Sequence, residues 1–431
     1  MTFPSLPYQP SANSSLPGPE DITRAVLPNG IVILARANFD SPSVVISGSL
    51  RVGSLFDPPE KLGLADFTAT ALMRGAAERS FQQIYDALES VGASLSIGGG
   101  VHTTSFGGRA LAEDLDILLH LLADCLRYPT FPAEQVERLR AQILTSLAIR
   151  AQDTAEMASL TFDEIVYAGH PYQYPEDGYP ETVQAICRED LLACHQRLYG
   201  PQGMILTLVG AVAPALAIEK AARFLGDWHN PLQPDPPALP ELVPLPATVR
   251  RHHLIPGKSQ SDLVLGLPGP ERRSPDFLAA SLGNSVLGQF GMYGRIGDVV
   301  REQAGLAYYA YSTLSGGLGP GPWYVAAGVD PANVEQAIEL IRGEIERFVS
   351  QPVSEEELAD SQANFIGRLP LSLETNAGVA SALLNLERYD LGLDYYRRYP
   401  HLVRAITPDE VLAVAQRYLH PDRLGIAVAG S

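Results

Sequence analysis

Two side chains suited to binding negative charge lie close together in the second half of the sequence. Arg301 and Tyr308 are seven residues apart in the segment VVREQAGLAY, residues 299–308. Arginine carries a permanent charge and a fork of N–H donors, and tyrosine adds a neutral O–H donor, so the pair could hold a developing oxyanion. The residues alone leave a structural alternative open, in which Arg301 ends a helix and Tyr308 begins a strand.

Other patterns that carry enzymatic chemistry are missing from the sequence. His252 and His253 are adjacent, so on a strand they point to opposite faces and do not readily share a metal ion. The remaining histidines are scattered singly, and the sequence has no Cys-x-x-Cys pair and no Gly-x-Ser-x-Gly elbow. The glycine-rich segments 98–100 and 316–321 lack the Lys-Ser/Thr of a phosphate loop, so we interpret them as hairpin connections. We expect no metal or other cofactor on this chain.

The composition is typical of a folded protein with an acidic surface. Apolar residues make up 46% and charged residues 19%, and the formal charge is −18. Such a surface repels nucleic acid and can steer cationic peptides, although an acidic surface also serves solubility alone. The sequence has no run of about 18 apolar residues, no export signal at its start and only three cysteines, so we expect a cytoplasmic protein without a membrane partner.

An internal repeat organises the chain. Ile186 and Ile406 are 220 residues apart, and so are Gly210 and Gly430, which close two similar helix-turn-strand segments. The same shift pairs the predicted strand Ser43–Leu50 with another near residues 262–267. One shift that relates features along both halves indicates a duplicated lobe.

A proline-rich segment separates the two copies and predicts the domain boundaries. Residues 230–246 read NPLQPDPPALPELVPLP, a composition that cannot pair in a sheet or continue a helix. We predict an N-terminal lobe at residues 1–229, a linker at 230–246 and a C-terminal lobe at 247–431. Strand patterns alternate with long helical patterns in each lobe, so the expected class is α+β, with one sheet backed by helices per lobe.

At this point the chain resembles a known family. The segments Asn29–Ile31, Gly53–Asp57, Gly63–Ala65, Met73–Gly75 and His170–Tyr172 follow the order seen in pitrilysin- and insulinase-type zinc peptidases, which include the mitochondrial processing peptidase subunits. The resemblance extends from about residue 23 to the end. It implies two homologous lobes with mainly antiparallel sheets, arranged as one half of a clam-shell chamber.

The zinc motif of that family is absent from this chain. The family carries His-x-x-Glu-His directly after Gly-Leu-Ala, where two imidazoles hold zinc and the glutamate takes a proton from water. Here the five positions read DFTAT, so Asp66 and Thr70 stand where the two histidines would be, and Ala69 stands where the glutamate would be. The family's third ligand is a glutamate, and residues 144–149 at that place read LTSLAI.

A second motif of the family remains. The segment containing Arg301 and Tyr308 is similar to the family's Arg-x-x-x-x-Gly-Leu-x-Tyr element, and by this resemblance the two side chains hold the substrate backbone and stabilise the oxyanion. Residues 287–296, LGQFGMYGRI, match the position of the glycine-rich substrate-sensing loop of the processing peptidase's non-catalytic subunit. The copy here is short, and a flexible turn is the favoured interpretation.

Loss of the zinc ligands together with retention of Arg301 and Tyr308 predicts a divided active site. The chain would be the non-catalytic subunit of a peptidase, inactive alone, with a homologous partner that carries zinc on His-x-x-Glu-His and an unstructured peptide as substrate. The isolated chain could also form a homodimer in place of that pair. The alternative is a purely structural subunit, like the core proteins of the respiratory bc complex.

Overall fold

The computed structural model describes residues 16–289 and 294–431, and its first sheet belongs to the N-terminal half. The strands follow the order β1-β2-β8-β3-β7-β6, and every neighbouring pair except β2 and β8 is antiparallel. Burial alternates along residues 44–47, where Val44 and Ile46 are fully buried while Val45 and Ser47 are half-buried, as expected for a strand with one face on the core. The strands are β1 (Thr23–Val26), β2 (Val32–Ala37), β3 (Ser43–Leu50), the short ribbon β4 (Gly75–Ala76) and β5 (Arg79–Ser80), β6 (Ser94–Gly98), β7 (Thr104–Leu111) and β8 (Ile205–Gly210).

The second sheet repeats the first. Its order is β11-β12-β10-β13-β9, with β9 and β13 parallel and the other pairs antiparallel. Strands β2, β8, β3, β7 and β6 therefore correspond in sequence and in space to β9, β13, β10, β12 and β11, as the 220-residue shift requires. The strands are β9 (Val249–Leu254), β10 (Ser261–Pro268), β11 (Ala307–Gly316), β12 (Pro320–Val329) and β13 (Gly425–Gly430).

Helices back both sheets, and side-chain caps fix several of their starts. Ser354 accepts a hydrogen bond from the Glu357 N–H and Thr407 accepts one from the Glu410 N–H, while each glutamate bonds back to the cap residue. The helices of the N-terminal half are α1 (Leu64–Ala71), α2 (Phe81–Glu89), α3 (Leu115–Arg127), α4 (Ala133–Arg150), α5 (Thr154–Val166), α6 (Pro180–Ala185), α7 (Arg188–Leu198) and α8 (Pro214–Leu225). Those of the C-terminal half are α9 (Phe277–Asn284), α10 (Arg295–Gly297), α11 (Val334–Ser350), α12 (Glu355–Ser372), α13 (Asn376–Arg388), α14 (Tyr395–Ala405) and α15 (Pro408–Tyr418).

Each lobe lends a helix to the other lobe's sheet. Helix α13 of the C-terminal half packs on β3 and β8, where Leu383 shares a buried cluster with Leu34 and Val209. Helix α5 of the N-terminal half packs on β10 and β13, where Phe162 is buried with Ala427. The exchange buries apolar surface between the lobes, so the two lobes stabilise each other. The predicted α+β class with two homologous lobes and mainly antiparallel sheets is confirmed.

Candidate functional site

Helix α1 carries the five positions of the altered zinc motif. It begins after Gly63, whose φ of 95° suits glycine, and the half-buried Asp57 carboxylate accepts hydrogen bonds from the Gly63 and Ala65 N–H groups at 2.9 Å each. Burial raises the pKa of Asp57 to about 7, although the backbone donors oppose that shift. The start of α1 is therefore fixed by a capping carboxylate.

The side chains at the zinc-motif positions do not form a zinc site. Ala69 is fully buried and has no donor atom, and the Thr70 hydroxyl donates to the Asp66 carbonyl at 2.8 Å. On α4, at the place of the third ligand, Leu147 is buried and Ile149 is 68% exposed. A tetrahedral zinc site needs three or four protein ligands, and these positions supply one carboxylate. Within residues 16–289 and 294–431, no group of three or more His, Cys, Asp or Glu is arranged to hold a metal ion.

Asp66 instead lines a cavity of about 670 Å³ between the lobes. The N-terminal lobe contributes α1, the turn after β6, one face of α5 and the segment after α5, and the C-terminal lobe contributes the hairpin between β11 and β12. The polar lining from the N-terminal lobe consists of Asp66, His102, Arg150, Glu156, Asp163, Tyr167, Tyr172, Tyr174, Glu176 and Asp177.

Carboxylates dominate this cavity. Burial first, and then the charges of Asp177 and Glu176, raise the pKa of Asp66 to about 6, although the Gly99 N–H donates a hydrogen bond to Asp66 that opposes this shift. Burial also raises the pKa of Asp163 to about 7. Arg150 is committed to Asp177 and to the Gly178 carbonyl at 2.9 Å. The cavity therefore holds an excess of negative charge that a cationic group would relieve.

Two tyrosines of the N-terminal lobe lie against the hairpin between β11 and β12, and one of them is hydrogen-bonded to it. The Tyr167 hydroxyl donates to the Pro320 carbonyl at 2.9 Å, and the Tyr172 hydroxyl is hydrogen-bonded to His102 Nε2. A Cβ atom at Gly319 would lie 2.2 Å from the Tyr172 hydroxyl oxygen, so a larger residue there would displace the Tyr172 side chain. The cavity thus depends on contacts between the lobes.

Strand β6 ends beside Asp66 and forms an edge of the N-terminal sheet. It pairs with β7, and no other strand of the described chain pairs with its second edge. A Cβ atom at Gly99, directly after β6, would lie 2.6 Å from Asp66 Cα. An open edge next to a cavity can accept an extended peptide as an added strand.

Arg301 and Tyr308 lie outside this cavity. Arg301 belongs to a helical turn at Asp298–Gln303, and its guanidinium lies 3.8 Å from Glu302 with 38% of the side chain exposed. Tyr308 is 82% exposed at a register irregularity of β11, whereas Tyr309 is half-buried and hydrogen-bonded to Asp262. In the described part of the chain, no hydrogen bond joins Arg301 to Tyr308. Of the glycine-rich segment 287–296, residues 290–293 fall outside the described residues.

Sequence reasoning missed the acidic residues that accompany Asp66. Glu156, Leu160, Asp163 and Tyr167 follow one another at intervals of three or four residues, which places them on one face of α5 and at its C-terminal end, and this spacing was readable before the fold was known. Their convergence with Asp66 and Asp177 was not readable, because it depends on how α1, α5 and the segment after α5 pack.

Comparisons with known proteins match the chain to two family models. Residues 32–175 match the family model described as insulinase, peptidase family M16, and residues 185–365 match the model described as the peptidase M16 inactive domain. An uncharacterized zinc protease of Streptomyces coelicolor is 26% identical over 92% of this chain and 87% of its own length. One of Mycobacterium tuberculosis is 27% identical over 94% and 92%.

Solved structures share the fold over nearly the whole chain. The crystal structure of a peptidase M16 inactive domain from Pseudomonas fluorescens superposes with a TM-score of 0.89 at 25% identity, and covers 95% of this chain and 97% of that one. A protease from Helicobacter pylori superposes with a TM-score of 0.86 at 17% identity, over 96% of this chain and 100% of its own. In the described ranges, no helix is both long enough and apolar enough to span a bilayer.

Proposed function

Because this chain belongs to the M16 family of peptidases, we propose that it is the non-catalytic, substrate-binding subunit of a two-chain zinc metallopeptidase. A homologous partner would carry His-x-x-Glu-His and the zinc, and this chain would contribute Arg301 and Tyr308. The substrate would be an unstructured peptide.

One observation carries the proposal: helix α1 lies beside an open cavity but lacks the side chains that bind zinc. The helix keeps its position beside the end of β6 and beside an open cavity, yet its side chains at positions 66, 69 and 70 cannot replace the ligands of zinc. A chain that has lost its metal ligands while keeping the cavity has the form of a binding subunit.

The exposure of Arg301 and Tyr308 supports a role in trans. Neither side chain lines the cavity of its own chain, and the Tyr308 phenol has almost its full surface free. Placed against a partner, the Tyr308 O–H and the Arg301 N–H groups would donate to the peptide carbonyl oxygen as negative charge develops on it. Preorganised donors of this kind typically contribute about 3–4 kcal/mol each to transition-state stabilisation.

The cavity indicates which peptides this subunit would bind. The carboxyl groups of Asp66 and Asp163 lie in a partly desolvated site. Arg150 supplies the guanidinium that lines this cavity, and it is already paired with Asp177. A lysine or arginine side chain of a peptide would supply the missing charge, and the tyrosines would contact its aliphatic part. The open edge of β6 would pair with the peptide backbone.

The experiment that tests this function is a peptidase assay with zinc quantified. This chain is assayed alone, and then together with a His-x-x-Glu-His relative from the same organism, on unstructured peptides with and without basic residues. We expect cleavage only by the pair, one zinc per pair, and preference for basic peptides. A stable pair without cleavage would favour the structural-subunit alternative, and cleavage with stoichiometric zinc by this chain alone would overturn the proposal.

A further inference from the structure

A second pocket lies where the proline-rich linker crosses the C-terminal lobe, and its volume is about 270 Å³. Its walls come from the linker, the end of β10, the end of α5 and the segment around the end of α15. It adjoins the acidic cavity, because Val166 and Pro320 line the pocket while Tyr167 and Gly319 line the cavity.

The body of this linker pocket is apolar. Leu242 and Leu245 of the linker are half-buried and pack against the same buried cluster as Val166. Val243 is 77% exposed at the mouth. Leu267, Pro268 and Gly269 at the end of β10 complete the wall. Because the prolines of the linker have no N–H group, this wall presents few backbone donors.

The rim of the pocket carries basic residues. Arg417, His420 and Arg423 line it, and none of the described lining residues is acidic. Arg417 is paired with Asp276 at 2.5 Å, but the side chains of His420 and Arg423 make no hydrogen bond or ion pair in the described part of the chain. On a protein with a formal charge of −18, an apolar pocket with two uncommitted basic side chains is selective for a negative ligand.

We propose that the linker pocket binds a small monocarboxylate with an apolar tail, of about the size of octanoate. The tail would lie between Leu242, Leu245 and Leu267, and the carboxylate would accept hydrogen bonds from Arg423 and His420 at the rim. The volume is just below the roughly 300–1,000 Å³ of pockets for drug-sized ligands, which limits the occupant to about ten non-hydrogen atoms. This inference goes beyond the proposed function and does not depend on it.

The test is isothermal titration calorimetry of the full chain with octanoate, octanol and octylamine at pH 7. We expect one saturable site for octanoate, with binding at least about tenfold weaker for octanol, which lacks the charge. Octylamine should not bind measurably. A negative heat-capacity change for octanoate would identify burial of the tail.

The variant that isolates the charge is Arg423→Gln, with Arg109→Gln as its control. Arg109 is an exposed arginine on β7 of the other sheet, so both variants remove one positive charge. Arg423→Gln should reduce octanoate affinity to that of octanol and leave octanol unchanged, while Arg109→Gln should change neither. Equal affinities for octanoate and octanol in the unmodified chain would overturn the proposal. Binding of a peptide C-terminus ending in leucine, without any binding of octanoate, would also contradict it.

Discussion

The exchange of helices between the lobes makes a quantitative prediction about unfolding. Leu383 on α13 is fully buried against the N-terminal sheet. Leu383→Ala removes its apolar contacts and leaves a cavity, which should lower the free energy of unfolding by about 3 kcal/mol. The entropy of unfolding is about 2.1 cal/mol/K per residue, which amounts to about 0.9 kcal/mol/K for a chain of 431 residues. If the chain unfolds in one cooperative transition, its Tm should therefore fall by about 3 °C.

Differential scanning calorimetry distinguishes this outcome from independent lobes. If each lobe unfolded independently, the same loss of free energy would be divided by the unfolding entropy of one lobe, which is about half as large. One of two transitions would then have its Tm lowered by about 7 °C. Leu371→Ala on α12 is the control, because that leucine is 70% exposed and its loss should cost less than about 0.5 kcal/mol. Two transitions, with only one shifted by Leu383→Ala, would refute the conclusion that the lobes stabilise each other.

Three further predictions concern the acidic cavity. Because the pKa of Asp66 is raised, ionisation of this carboxyl opposes folding as pH rises from about 4 through about 6. Asp66→Asn should therefore raise the free energy of unfolding, measured by urea denaturation, by about 1–3 kcal/mol at pH 8 and hardly at all at pH 4. An arginine-containing peptide should bind more weakly as pH falls from 8 to 5, because Asp163 and then Asp66 become protonated. Fluorescence anisotropy measures this binding, and an analogue with glutamine in place of the arginine should bind weakly at every pH. Gly99→Ala would place a methyl group 2.6 Å from Asp66 Cα and should reduce that affinity, whereas Gly98→Ala, which meets no atom within 4 Å, should not.

The duplicated fold and the altered zinc motif were readable from the sequence because both depend on local patterns. The 220-residue shift paired β3 with β10 and β8 with β13, and the Gly-Leu-Ala segment placed the motif positions on one helix. The sequence also predicts long helices at about residues 133–152 and 155–166, and the bounds of α4 and α5 lie within two residues of these, since long helical patterns carry a strong signal.

The exchange of α5 and α13 and the acidic cavity were not readable. Both helices are apolar on one face, and that pattern does not say which sheet the face will cover. Asp66 and Asp163 come together only once α1 and α5 are packed on different sheets. The irregularity of β11 at Tyr308 was also invisible, because a bulge reflects the pairing with β12 and leaves no fixed residue pattern.

The most direct test of the central claim is steady-state kinetics of the pair, with the substitutions placed on this chain. Arg301→Ala and Tyr308→Phe are each combined with the unmodified zinc-bearing partner, and pairing and zinc content are measured alongside. The proposal predicts normal pairing and zinc content with kcat lowered by about 100-fold or more, because the lost donors act on the developing oxyanion. If kcat and kcat/KM of the pair are unchanged by both substitutions, Arg301 and Tyr308 do not belong to the active site and the claim of a divided site is wrong.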